Sequence, residues 1–264
     1  MARDTFPNTP QVRDRRSSAW SVGAAAVSAV ALVALIIEVM VGSWVAGWDE
    51  RIITAMVAGR TVIGSHVFWV FSLLGNTTSL VVAAAALVVV LLMWGKRGSA
   101  IFAAVTMASA SGLSHGLKEL LARSRPPASQ ALIALPESQS LPSGHALMTA
   151  VLVGLALCVA GRVWPRSVRM ALGAILSAVA ACVGFSRVYL GVHWASDVVA
   201  GWCLAVIWLA LAFTLFRVWR RSRYAVPDTQ AWGGIRSRGL IAALLTLVWA
   251  AVVVVEALID PLVV

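Results

Sequence analysis

Acidic side chains are scarce in this chain: 11, against 21 lysines and arginines, in 264 residues. All charged residues together make up only 12%. A soluble domain carries about twice that share, so a water-exposed globule is a poor fit. Cysteine is scarce too. Cys158, Cys182 and Cys203 lie inside apolar runs and no C-x-x-C occurs, so no disulfide framework is implied and they read as small apolar side chains. No basic stretch is interleaved with aromatics, so the net charge of +10 does not describe a nucleic-acid surface. No cleavable leader is expected: the opening MARDTFPNTPQVRDRRSS is polar, and the first apolar run is too long for a signal core.

Apolar sequence is what the chain has in quantity. Hydrophobic residues make up 60% and the mean hydropathy is +0.88. Crossing the hydrocarbon core takes about 20 apolar residues. Seven runs reach or approach that length: Ala19–Val45, Thr77–Trp94, Ser99–Leu117, Ala146–Val163, Val168–Phe185, Trp194–Phe216 and Leu240–Leu258. The expected fold is all-α, a polytopic transmembrane helix bundle of six core spans plus a seventh C-terminal span. The expected organisation is a cytoplasmic segment 1–18, a membrane domain 19–220, and a cytoplasmic linker with the extra span over 221–264. Gly64–Gly75 is apolar but short, an interfacial helix or the first turns of the second span, and Asn76-Thr77-Thr78 reads as a helix start.

Basic residues orient the spans. With the N-terminus in the cytoplasm, the outer segments carry Arg51, Arg60, Lys118, Arg123, Arg125 and Arg187, and every other basic residue falls inside. That predicts an N-in, C-out topology. Tryptophans near span ends (Trp20, Trp44, Trp94, Trp164, Trp194 and Trp219) suit interfacial belts. Glu38 and Glu256 lie near the outer ends of their runs, where snorkelling to the interface is expected. The small-residue stretch AVTMASASGLSHG in the third span reads as a helix-packing face.

Three polar clusters interrupt the apolar sequence, and this topology brings all three to the outer side. The first runs from Lys118 to Arg125-Pro126. The second is Pro142-Ser143-Gly144-His145. The third is Ser186-Arg187, then His193 and Asp197. About 40 residues separate the second cluster from the third, room for one helix across and one back. Lys118, Arg125 and Arg187 are cations that a phosphate would pair, the arginines in bidentate fashion. Ser143, Gly144 and His145 open a helix, whose free N–H groups favour an anion. His193 and Asp197 are four apart, so the carboxylate can hold one imidazole nitrogen as donor and leave the other as a lone pair. His145 is a second imidazole, able to protonate a departing oxygen. Together these residues specify phosphoryl transfer through a phosphohistidine, with cations in place of a metal; no metal and no cofactor is expected.

K-x6-R-P, P-S-G-H and S-R-x5-H-x3-D resemble the signature of the type-2 phosphatidic acid phosphatase superfamily, over Lys118 to Asp197. That superfamily includes lipid phosphate phosphatases, bacterial undecaprenyl-diphosphate and phosphatidylglycerophosphate phosphatases, soluble acid phosphatases and vanadium haloperoxidases. The resemblance implies phosphate ligands at Lys118, Arg125, Ser143, Gly144 and Arg187. It implies His145 as general acid, His193 as nucleophile and Asp197 as its orienting partner. Membrane members are six-helix bundles, so the seventh run departs from the pattern. The expected function is metal-independent hydrolysis of a lipid phosphate monoester or diphosphate on the extracytoplasmic side of a bacterial plasma membrane. The expected partners are the lipid phosphate and the bilayer, with no nucleic acid. A membrane phosphotransferase using the same residues, and a non-catalytic membrane protein, stay open as alternatives; the intact His145, His193 and Asp197 argue against the second. Arg123 is expected to be a solvated loop residue. The lipid tail and the oligomeric state are not specified by the sequence.

Overall fold

A computed structural model describes residues 10–42, 44–160, 165–222, 224, 226–229, 235–259 and 262. Among these, every regular element is helical. In order they are α1 (Pro10–Val41), α2 (Trp44–Ala58), α3 (Val62–Leu74), α4 (Thr77–Met93), α5 (Arg97–Leu121), α6 (Gly144–Ala160), α7 (Arg166–Tyr189), α8 (Ala195–Arg221) and α9 (Ile235–Ile259). A single 3-10 turn, Ala128–Gln130, lies in the long connection between α5 and α6.

Five stretches are long and apolar enough to cross a bilayer: Val22–Val41, Arg97–Leu121, Arg166–Tyr189, Ala195–Arg221 and Ile241–Ile259. A sixth candidate is the pair α3 and α4, bent by 48° at their junction. The chain is a multi-pass membrane protein. The apolar stretch before Asn76 is thus a helix of its own, α3, set at an angle to α4. The described part of α6 is enclosed by protein: Leu147 and Val151 are fully buried against Ala103, Met107 and Ala110 of α5 and Leu204 and Ala205 of α8. Residues 161–164, which include Arg162 and Trp164, lie outside the described residues, as do residues 1–9, Arg223 and the side chains of Trp20, Arg236 and Arg238.

Around α6, α1 packs along α8, α7 lies against α3 and α6, and α9 lies along α4. The small residues of α5 serve two purposes, where only packing was expected. Ala103 and Ala110 enter the core, while Ala104, Ala108, Ser111 and Ser114 leave room for a cavity. The three cysteines are free.

Candidate active site

The three polar clusters meet at one end of the bundle. His193 sits in the turn between α7 and α8, not on a helix. Gly191 makes that turn with φ +77°, and a Cβ there would lie 2.1 Å from the Gln130 carbonyl oxygen. Only glycine fits both demands. The His193 N–H donates to the Arg187 carbonyl at 3.2 Å. From outside, Arg60 donates to the carbonyls of Gln130 at 2.6 Å and Tyr189 at 2.7 Å, pinning the loop over α5–α6 to the end of α7.

The imidazole of His193 is 2% exposed and fully assigned by its neighbours. Arg125 Nη1 donates to His193 Nε2 at 3.1 Å. A guanidinium has no acceptor, so Nε2 carries the lone pair. Nδ1 then carries the hydrogen and donates to Asp197 Oδ2 at 3.2 Å. Burial pushes His193 down to about 3, against the opposing pull of Asp197, so the ring is neutral. Asp197 stands in the first turn of α8, where its carboxylate also accepts the Trp194 N–H at 2.9 Å. It accepts Ser140 Oγ at 2.5 Å and Arg123 Nη1 at 2.5 Å as well.

Arg123 is therefore not a solvated loop residue. Its guanidinium bridges two buried carboxylates, Asp197 and, through Nη2 at 2.7 Å, Asp49 of α2. Asp49 also accepts the backbone N–H of Ser196 at 2.9 Å and its hydroxyl. Two buried acids facing one region need a cation between them, and Arg123 is the one within reach.

The remaining motif residues surround a cavity of about 900 Å³. Lys118, Arg125, Gly144, His145, Arg187 and His193 all line it. Lys118 is 6% exposed and donates to the Gln139 carbonyl, and Arg187 Nη1 donates to Ser72 Oγ. Ser143 is fully buried behind the start of α6. Its N–H donates to the Asp197 carbonyl at 3.0 Å and its Oγ has no hydrogen-bond partner. Across the cavity His145 Nε2 meets Asn76 Oδ1 at 3.0 Å. Asn76 does precede α4 as expected, but its side chain does not cap the helix; it is committed to His145. Below the polar end the walls are apolar, with Leu80, Val81, Ala84 and Val88 on α4 facing Ala104, Met107 and Ala108 on α5.

One acid joins this lining from an unexpected direction. Glu256 of α9 lines the cavity and accepts a hydrogen bond from Ser79. The helix α9 packs against α4, and Ser79 gives Glu256 a polar partner on the contact face.

Asp49, Arg123, Ser140, Asn76 and Glu256 are the polar residues of the site that sequence reasoning did not select. Arg123 had a usable signal, since it lies inside the Lys118–Arg125 motif. Asp49 and Glu256 had none beyond being acids in or beside apolar sequence.

With this geometry in hand, similarity to known proteins is informative. Residues 99–221 match the PAP2 superfamily. A protein of Escherichia coli (strain K12), provisionally named an undecaprenyl-diphosphatase, is 32% identical over 104 residues, 35% of this chain and 48% of that protein. The undecaprenyl-diphosphatase of Sulfolobus acidocaldarius is 42% identical over 69 residues, 26% of this chain and 30% of that one. This chain thus spans less than half the length of either. The crystal structure of a transmembrane PAP2-type phosphatidylglycerolphosphate phosphatase from Bacillus subtilis superposes with a TM-score of 0.62 at 24% identity, covering 74% of this chain and 98% of that one; it establishes the likeness of fold. The matching segment, residues 99–221, holds all three motifs.

Proposed function

We propose that this protein hydrolyses the phosphate of a membrane lipid, a monoester or diphosphate, through a phosphohistidine at His193, on the extracytoplasmic side of the cell membrane. The observation that carries the reading is the state of His193. Its Nδ1–H is committed to Asp197, and its Nε2 lone pair is held beside Arg125 in the wall of a cavity whose far side holds His145.

The chemistry follows from these positions. The phosphoryl group lies among Lys118, Arg125, Arg187 and the first N–H groups of α6. As Arg125 turns from His193 to the phosphoryl oxygens, the freed Nε2 lone pair attacks phosphorus and the bond to the leaving oxygen breaks. His145, in its protonated form, gives that oxygen a proton. Asn76 occupies Nε2 of His145, so Nδ1 is the nitrogen that exchanges the proton. Water then attacks phosphorus, His145 takes a proton from it, and the P–N bond breaks to release inorganic phosphate and free His193. Asp197 stabilises the charge that His193 gains in the intermediate. The three cations meet the negative charge that develops on the phosphoryl oxygens, the part a metal ion plays elsewhere. The apolar walls on α4 and α5 suit a hydrocarbon tail.

The test is phosphate release from a panel of lipid phosphates by purified protein in detergent, with EDTA present and with no added acceptor. Release that survives EDTA and stops in vanadate supports the reading. Transfer only when an alcohol acceptor is supplied would make the protein a phosphotransferase, and loss in EDTA with recovery in magnesium would overturn the metal-free site. Sidedness is read by labelling from outside: Glu137→Cys should react and Arg166→Cys should not.

A further inference from the structure

Glu256 has no part in the chemistry above, yet it stands in the wall of the same cavity. Among the described residues that line it, Glu256 is the sole carboxylate; the other ionisable side chains are Lys118, Arg125, Arg187 and three histidines. It comes from α9, outside the segment that matches the superfamily. Two contacts to Ser79 hold it there. Ser79 Oγ donates to the Glu256 carboxylate, and Trp249, two turns earlier on α9, donates through Nε1 to the Ser79 carbonyl at 3.0 Å. Ser79 is itself fully buried.

Ser79 lies one turn after Asn76, the residue that holds His145. The carboxylate is therefore on the leaving-group side, while the three cations gather on the side of the transferred phosphoryl group. From this juxtaposition, and resting on the reading of the cavity as a lipid phosphate site, we infer that Glu256 is a specificity-determining residue that favours lipid phosphate monoesters over polyprenyl diphosphates. A monoester's leaving group is a neutral alcohol, and any further hydroxyl on it can donate to the carboxylate. A diphosphate's leaving group is a second phosphate, and it would bring negative charge toward a fixed, half-buried anion. Such like-charge opposition is how a site rejects the wrong partner, and burial weakens the screening that would soften it.

The experiment compares kcat/KM for a diacylglycerol phosphate and a polyprenyl diphosphate in the same mixed micelles. Glu256→Gln is isosteric and keeps an acceptor for Ser79 while removing the charge. The ratio of diphosphate to monoester activity should rise on the order of tenfold. Glu256→Ser, which removes the charge and the Ser79 contact together, should move the ratio the same way even if the protein is less stable. Glu256→Lys should move it further. A ratio that stays within about twofold of wild type in all three variants overturns the inference and makes Glu256 a structural tie between α9 and α4. That result leaves the parent reading intact, because the wild-type protein still releases phosphate. Failure of the wild type on both lipids would instead overturn the parent reading, and this inference with it.

Discussion

The two halves of the cavity are built differently. On the nucleophile side, His193, Asp197, Arg123, Asp49, Ser140 and Ser196 form one connected network, with Asp197 alone accepting from four partners. On the leaving-group side, His145 has Asn76, and Glu256 has Ser79. The first half is buried and permits one arrangement; the second opens onto apolar walls and can receive different alcohols. Under the proposed mechanism the same P–N bond is made with every substrate while the leaving groups vary, and this asymmetry suits that task.

The comparison can be broken most sharply at its centre. His193→Ala should lower turnover by at least about 10⁴-fold and abolish trapping of an acid-labile, alkali-stable phosphoenzyme from labelled lipid phosphate. If the variant still traps label while His145→Ala does not, the two halves have been assigned the wrong way round. Asp197→Asn should lose nearly as much, because a wrong tautomer costs about 10⁴ in a serine-protease triad.

Arg123 tests whether the nucleophile half is a unit. Arg123→Ala leaves Asp49 and Asp197 both buried without their shared cation. Breaking a buried pair in this way costs about 3–5 kcal/mol, read as a lowered melting temperature in detergent. Arg123→Lys should recover only part, since a single ammonium cannot fork between two carboxylates as a guanidinium does. A melting temperature unchanged in Arg123→Ala would show that the bridge contributes nothing.

The leaving-group half should respond to the substrate instead. His145→Ala should cost about 10²–10⁴-fold on a lipid phosphate. Much of that loss should vanish with p-nitrophenyl phosphate, whose leaving oxygen needs no proton. Equal losses on both substrates would remove His145 from the role of acid.

The smallest expected effect is on stability against pH. His193 sits near 3 in the folded protein, below the ordinary 6.5, because burial disfavours its charge. Between those values the unfolded chain binds a proton that the folded one excludes. The resulting contribution is fully present above pH 6.5 and is lost as pH falls toward 3. Melting temperatures at pH 7 and pH 5 should therefore converge in His193→Gln relative to wild type.

The halves also differed in how far the sequence revealed them. In the half around His193, the meeting of His193, Asp197 and Arg125 was legible, because these residues interrupt apolar sequence at spacings that two crossing helices return to one end. Its outer support was not. Asp49 and Arg123 are 74 positions apart, and nothing local to either says that they pair. Arg123 looked like an ordinary outer-loop cation, since the positive residues of a loop are alike until their partners are placed. The helical class was legible from apolar length, but α2 was not, because Asp49, Glu50 and Arg51 interrupt its apolar sequence. The contact of Glu256 with Ser79 of α4 was not legible either, because the two are 177 positions apart.

The apolar walls of the cavity have a kinetic meaning. From Leu80 to Val88 they run about 12 Å down α4. A substrate whose tail lies along them need not leave its leaflet to reach His193. What such a site samples is therefore the mole fraction of substrate in the membrane plane, not its molarity in the surrounding water. Diluting the substrate with inert detergent at constant bulk concentration should slow the reaction, whereas diluting the whole suspension with buffer should barely alter the rate per enzyme. For the lipid substrate proposed above, the bilayer would be the solvent in which encounters are counted, and the rate would be set in two dimensions.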